Sequence, residues 1–226
     1  MNIGADTISS AGLNPVTVYE RGLSSRRLRA VDNEGQAMGM CVARWLEPAG
    51  LDDDILLAHC TRSTLDVGCG PGRLCAALIE KGVSAMGIDV SAEAVELARQ
   101  RGATALRRDV FSWVPGQGRW PNLLLADGNI GIGGDPVALL RRVQTMLAPG
   151  GQAVVEVDPP GQGVSSRLIR LEVDDMVSSW FPWARVAADA IGDLAEHAGL
   201  SFNGLDQRAD RWVALLGRGS PPWCTR

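Results

Sequence analysis

Chemistry in this chain begins where an apolar stretch meets glycine. Thr64-Leu65-Asp66-Val67 runs into Gly68, Gly70 and Gly72 at every second position, and Leu74, Ala77 and Leu78 then repeat at helical spacing. That is the pattern of a strand, a tight turn and a helix N-terminus. Glycine has no Cβ and takes positive φ readily, so such a turn lets a ligand lie on bare backbone. The free N–H groups of the first helical turn then face the ligand. A dinucleotide fingerprint needs G-x-G-x-x-G, but its third glycine would fall on Arg73 in one register and Cys75 in the other. The spacing here is G-x-G-x-G. Asp66, two residues before the first glycine, disfavours a pyrophosphate and suits a ligand carrying an ammonium or sulfonium. A second acid, Asp89, ends the next apolar run about twenty residues on, where a carboxylate can hold both ribose hydroxyls.

With these residues in view, Leu65-Asp66-Val67-Gly68-Cys69-Gly70-Pro71-Gly72 resembles the first motif of the class I S-adenosylmethionine-dependent methyltransferases, and Gly87-Ile88-Asp89-Val90-Ser91 resembles their second. The likeness runs in order from residue 60 to residue 157. It implies a doubly wound, Rossmann-like α/β fold with a mostly parallel seven-strand sheet whose last strand is antiparallel, and S-adenosylmethionine as cofactor. The motif residues Asp66, Gly68, Cys69, Gly70, Gly72, Asp89 and Val90 inherit the cofactor-binding role. In the family an acid after the third strand meets the adenine amino group while an apolar neighbour packs the ring, which implies Asp109 and Val110.

Leu123-Leu124-Leu125-Ala126 is an uninterrupted apolar run, as a central parallel strand covered on both faces requires. It ends in Asp127-Gly128-Asn129-Ile130-Gly131-Ile132-Gly133-Gly134. Ligands of open α/β sheets collect outside the carboxyl ends of the strands, and the family's reacting methyl lies near this fourth strand end. Asp127 and Asn129 are therefore the candidate catalytic groups, orienting the acceptor and taking its proton. The alternative for Asp127 is a bond to the cofactor ammonium. The four glycines either admit the substrate to the backbone or form a permissive turn before the helix that Asp135 caps and Pro136 begins.

Other chemistry is thinly represented. Lys81, the only lysine, falls at the far end of the first helix, and His59 and His197 fall on predicted helices away from the strand ends. Cys41, Cys60, Cys69, Cys75 and Cys224 are odd in number and lack C-x-x-C spacing, so no metal site and no disulfide framework is expected. A net charge of −4 argues against broad phosphate-backbone binding, which needs clustered positive charge. No nucleic-acid partner is expected. With no run near the ~20 apolar residues of a membrane span and no leader-like N-terminus, a cytoplasmic protein without a membrane partner is expected. The expected acceptor is a small molecule, because the acidic chain lacks both an RNA-binding appendage and the Asn-Pro-Pro-Tyr type of motif after the fourth strand. The alternatives are a non-catalytic cofactor-binding subunit, or action on protein or RNA. Oligomeric state is left open.

Around this centre, glycines and Pro15 interrupt residues 1–35, predicting an irregular arm or lid in which Tyr19 is either a contact over the cofactor or an ordinary surface residue. The catalytic domain is expected over 36–217, with helices at 36–45 and 53–60, and a loose tail over 218–226. After the fifth strand, period-two alternation over 167–173, a turn at Asp174-Asp175 and a return over 176–180 predict an inserted β-hairpin. Trp180, Phe181 and Trp183 on it could wall a pocket or pack the hairpin to the domain, packing being favoured. A last helix over 187–198 and strands over 200–206 and 211–216 complete the chain.

Overall fold

Leu123, Leu124 and Leu125 are all fully buried, yet they serve different layers. Leu123 and Leu125 join Leu139, Leu140, Val143 and Met146 in one core, while Leu124 and Ala126 join Leu56, Leu74 and Leu78 in another. A strand with helices on both faces has to be apolar throughout. The computed structural model describes residues 12–219. The expectations for 1–11 and 220–226, Cys224 among them, lie outside the described residues.

The elements in order are α1 (Pro15–Ser25), β1 (Arg29–Asp32), β2 (Ala37–Met38), α2 (Val42–Leu46), α3 (Asp54–Leu57), β3 (Thr64–Val67), α4 (Arg73–Glu80), β4 (Ala85–Asp89), α5 (Ala92–Gln100), β5 (Thr104–Arg107) and β6 (Trp120–Leu125). They continue as α6 (Pro136–Met146), β7 (Leu147–Val157), β8 (Val164–Val173), β9 (Met176–Val177), β10 (Phe181–Val186), α7 (Ile191–His197), β11 (Ser201–Arg208) and β12 (Arg211–Gly217). The central sheet has seven strands in the order β11-β12-β7-β6-β3-β4-β5. Its β3, β4, β5, β6 and β7 are parallel, and β12 runs antiparallel to both β7 and β11. The strand order reverses between β3 and β6, the crevice where open α/β sheets bind ligands.

A second sheet of five strands, in the order β10-β8-β1-β2 with β9 beside β8, stands apart from the first. The predicted turn at Asp174-Asp175 is present, but its return strand β9 pairs at only two positions, Glu172↔Val177 and Val173↔Met176. The principal partners of β8 are β10 and β1, the latter from 135 or more residues earlier in sequence. The expected inserted hairpin is thus one short part of a small antiparallel sheet, which joins the segment after β7 to β1 and β2 near the N-terminus.

Two local expectations are corrected near the N-terminus. Residues 15–25 are helical rather than irregular, because Asn14 accepts the Val16 N–H and Pro15 occupies the first turn, a strong helix start. Gly22 does not break this helix but lets the chain leading into β1 approach, since a Cβ there would stand 2.8 Å from Leu28 Cδ1. The helix expected over 36–45 is divided: Ala37 and Met38 return against β1, and only α2 remains helical. The cause is a tight turn in which Asp32 Oδ1 accepts from the backbone N–H groups of Glu34 and Gln36, an Asx-type device. At the other end Arg218, expected to begin a loose tail, exchanges backbone hydrogen bonds with Gly150 and Gly151. No helix among the described residues is long and apolar enough to cross a membrane.

Candidate functional site

All three loop glycines take positive φ, 71° at Gly68, 53° at Gly70 and 79° at Gly72. Each makes room for a different part of the molecule. A Cβ on Gly68 would lie 2.7 Å from Asn129 Nδ2, one on Gly70 3.3 Å from the Tyr19 hydroxyl, and one on Gly72 2.6 Å from Ala98 Cβ. The loop is therefore packed by the turn after β6, by α1 and by α5 at once. Asn129 donates its amide nitrogen to the carbonyls of Val67 and Gly68, each at 2.9 Å.

Above the loop lies a cavity of about 410 Å³ bounded by Asp66, Gly68, Cys69, Gly70, Asp89, Val90, Asp109, Val110, Asp127 and Asn129. These are the residues singled out in the sequence, with one exception. Gly72 does not reach the cavity and serves the packing of α4 on α5. Asp89 accepts the backbone N–H of Gly70 through Oδ2 and that of Ser91 through Oδ1, both at 2.9 Å. Burial raises its pKa against those hydrogen bonds. Asp66 is buried, and its pKa is pushed up to about 7, first by burial and then by the charge of Asp127, with the Cys75 thiol and Arg73 opposing. A carboxyl so placed ionises readily once a cation arrives beside it. Asp109 holds the turn after β5 by accepting the Phe111 N–H.

Asp127 occupies a positive φ of 53°, uncommon for a residue with a side chain. Both its oxygens accept from Arg73 Nη2 at 2.8 Å, and its backbone N–H donates to Glu156 Oε2 at 2.6 Å. Arg73 also pairs with Asp53, and Arg211 joins Asp53 at 2.6 Å and Glu156 at 2.8 Å. Burial works to raise the Asp53 pKa, but Arg73, the Gly50 N–H and Arg211 outweigh it and hold the carboxyl well below the usual range. Burial likewise leads at Asp127, where it raises the pKa despite the Arg73 charge. This network was missed in the sequence, where Arg73 registered only as the absence of a glycine. Nothing in local spacing joins it to Asp53 and Arg211.

The other wall comes from α1, α2 and the small sheet. Tyr19, Met40, Trp45, Leu171, Phe181 and Trp183 all face the cavity. Tyr19 thus lies over the glycine loop rather than on the surface, and its hydroxyl pKa is raised chiefly by burial, then by Asp89. Glu20 fastens α1 to α5 by accepting from Ser91 Oγ at 3.0 Å and the Ala92 N–H at 2.9 Å. Arg21 fastens it to the small sheet through Asp174 at 3.0 Å. Phe181 and Trp183, expected to serve packing, line the cavity, whereas Trp180 sits under the Arg170 guanidinium 4.9 Å from its ring centroid. The glycines after β6 have a use the sequence did not suggest. A Cβ on Gly131 would meet the Ala184 carbonyl at 2.2 Å and one on Gly134 would meet Pro182 at 2.5 Å, so their bareness admits β10. His59 binds Asp206 and His197 binds the Asp193 carbonyl; neither lines the cavity.

A family profile described as a methyltransferase domain matches residues 26–202. Among curated proteins, the chain is 34% identical over 135 residues to a trans-aconitate 2-methyltransferase of Paracidovorax citrulli, covering 58% of this chain and 48% of that one. It is 33% identical over 154 residues to one of Rhodococcus jostii, covering 63% and 57%. The chain thus spans about half the length of these curated relatives. Among solved structures, a SAM-dependent methyltransferase from Bacteroides fragilis in complex with S-adenosyl-L-homocysteine superposes with a TM-score of 0.76 at 20% identity, covering 91% of this chain and 95% of that one. The 1,6-didemethyltoxoflavin-N1-methyltransferase of Burkholderia thailandensis gives 0.59 at 18% identity, covering 98% and 99%. Both structural likenesses speak to the fold. The profile spans most of the described chain and includes the glycine loop, Asp89 and Asp127. This protein belongs to the class I S-adenosylmethionine-dependent methyltransferase family.

Proposed function

We propose that the chain transfers a methyl group from S-adenosylmethionine to a small-molecule acceptor. The observation that carries this is the convergence of Asp66, Gly68, Gly70, Asp89 and Asp127 on one cavity of about 410 Å³ roofed by α1 and the small sheet. That volume is in the range of small-molecule sites, which supports a small acceptor. The residues present suit the cofactor. Asp89 and the Gly70 backbone would hold the ribose, Asp109 and Val110 the adenine, and Asp66 with the Gly68 backbone the amino-acid end. Loop glycines, where a Cβ at Gly68 would strike Asn129 and one at Gly70 would crowd Tyr19, form the necessary cradle.

The cofactor supplies a methyl group already activated on a sulfonium. What remains for the chain is to align the acceptor, exclude water and remove a proton where the acceptor carries one. Tyr19, Trp45, Phe181 and Trp183 exclude water from the side opposite the sheet. Asp127 is the candidate group for orienting the acceptor and taking its proton, since burial raises its basicity while Arg73 fixes its direction. Asn129 spends its amide nitrogen on Val67 and Gly68, so its part is to position the loop. Incubation with labelled donor and separate fractions of small metabolites, RNA and protein tests the proposal. Label should enter the metabolite fraction, and label confined to RNA or protein contradicts it.

A further inference from the structure

The curated relatives are named for trans-aconitate, which carries three carboxylates. A chamber for such an acceptor needs cations with free hydrogen-bonding capacity, because a carboxylate buried without a partner costs several kcal/mol. Among the described residues, the cations lining the larger cavity are Arg73 and Arg108. Arg73 has Nη1 on Asp53 and Nη2 on both oxygens of Asp127, and its one unpartnered nitrogen, Nε, is buried. Arg108 stands beside Asp109 at the end of β5, the end assigned to adenine, and is remote in the sheet from the β6 terminus.

Across the cavity from the glycine loop and the strand ends, the lining is of another kind. Tyr19 and Trp45 meet edge to face with centroids 6.1 Å apart, and Phe181 and Trp183 do the same at 6.3 Å and 89°. The pairs come from different layers, one from α1 and α2 and the other from β10, and Met40 and Leu171 fill in beside them. A second cavity of about 280 Å³ shares the walls Met40, Trp45, Asp127 and Trp183, and adds Glu156, Asp158 and Asp210. Its one arginine, Arg185, is bound in both directions to Asp158 at 2.8 Å. An approaching polyanion meets carboxylates on this side too.

From this we infer that the acceptor is a ring-bearing, largely apolar molecule, uncharged or basic, and not a polycarboxylate. The inference rests on the methyl-transfer reading and narrows its substrate class. Aromatic faces bind planar rings edge-on or offset and attract cations, while the surrounding acids tolerate a basic substituent and repel an acidic one.

The test uses the full chain. Calorimetry with S-adenosylhomocysteine comes first, and absence of heat there defeats the methyl-transfer reading and this inference together. On the loaded protein, indole and tryptamine are then compared with trans-aconitate and citrate by saturation-transfer NMR and titration. The aromatic probes should bind at least about tenfold more tightly than either polycarboxylate, the smallest gap that one unpaired buried charge would produce. Trp183→Ala and, on a separate element, Trp45→Ala should each weaken indole by about three- to tenfold while the heat with S-adenosylhomocysteine persists. Polycarboxylates binding as tightly as indole, no binding of any probe to the loaded protein, or indole affinity indifferent to both substitutions would each overturn the inference.

Discussion

Replacing Asp66 with Asn should make the ligand-free protein more stable at neutral and alkaline pH, and should do so in a pH-dependent way. The carboxyl is buried and its pKa is pushed from 3.8 to about 7. A carboxyl whose pKa is raised by folding holds its proton more tightly in the folded chain. As pH climbs above 3.8 the unfolded chain releases that proton first, so stability falls until the folded group ionises as well. The rise from 3.8 to about 7, at about 1.4 kcal/mol per pH unit, gives a contribution on the order of 4 kcal/mol against the folded state above pH 7. Asn has the same shape, can still accept from the Cys75 thiol, and does not ionise. Urea unfolding of both proteins across pH 4 to 8 isolates the effect, because the other titrating groups are common to the pair. The advantage of Asp66→Asn should be small near pH 4, grow by about 1.4 kcal/mol per unit, and level off above pH 7. A constant difference across that range, or one that grows toward acid, refutes the assignment of a buried, proton-holding Asp66.

Gly68→Ala should cost about 1–2 kcal/mol for the positive φ alone and should also expel Asn129 from the loop carbonyls; unchanged urea stability together with unchanged affinity for S-adenosylhomocysteine counts against the cradle. Asp53→Ala leaves Arg73 and Arg211 buried with their shared partner gone, and a loss of about 3–5 kcal/mol is expected, read as a lowered urea midpoint. Asp127→Asn should slow methyl transfer in single-turnover assays by about 10²–10⁴-fold with little change in cofactor affinity, and weakened affinity at an unchanged rate would instead make it a cofactor ligand.

The parts of the fold that could be read in the sequence are those in which local backbone chemistry dictates the outcome. Alternate glycines at 68, 70 and 72, the acid after the second apolar run and the continuous apolar stretch at 123–126 have few structural solutions. The central sheet and the cofactor side of the cavity follow from them. Asn14-Pro15 is as plain a helix start, but the glycines around it and the weak apolar periodicity of the segment mask α1 and suggest an irregular arm instead. The small sheet was illegible for a different reason. Its strands β1 and β8 pair across more than 130 residues, and no period in either segment announces a partner at that distance. The same holds for Gly131 and Gly134, whose bareness matters only once β10 lies on them. Buried polar networks are harder still, because Arg73, Asp53, Asp127 and Arg211 come from four separate elements and carry no common spacing.

Calorimetric titration of S-adenosylhomocysteine into this chain and into its Asp89→Ala variant tests the central claim most directly. Asp89 is buried, its oxygens face the Gly70 and Ser91 N–H groups, and it stands where the ribose would lie. The intact chain should bind with measurable heat, and the variant should lose about 1–3 kcal/mol of affinity, the scale for a charged hydrogen-bond partner removed. Absence of binding to the intact chain, or equal affinity in the two proteins, would contradict the assignment of this cavity to the cofactor.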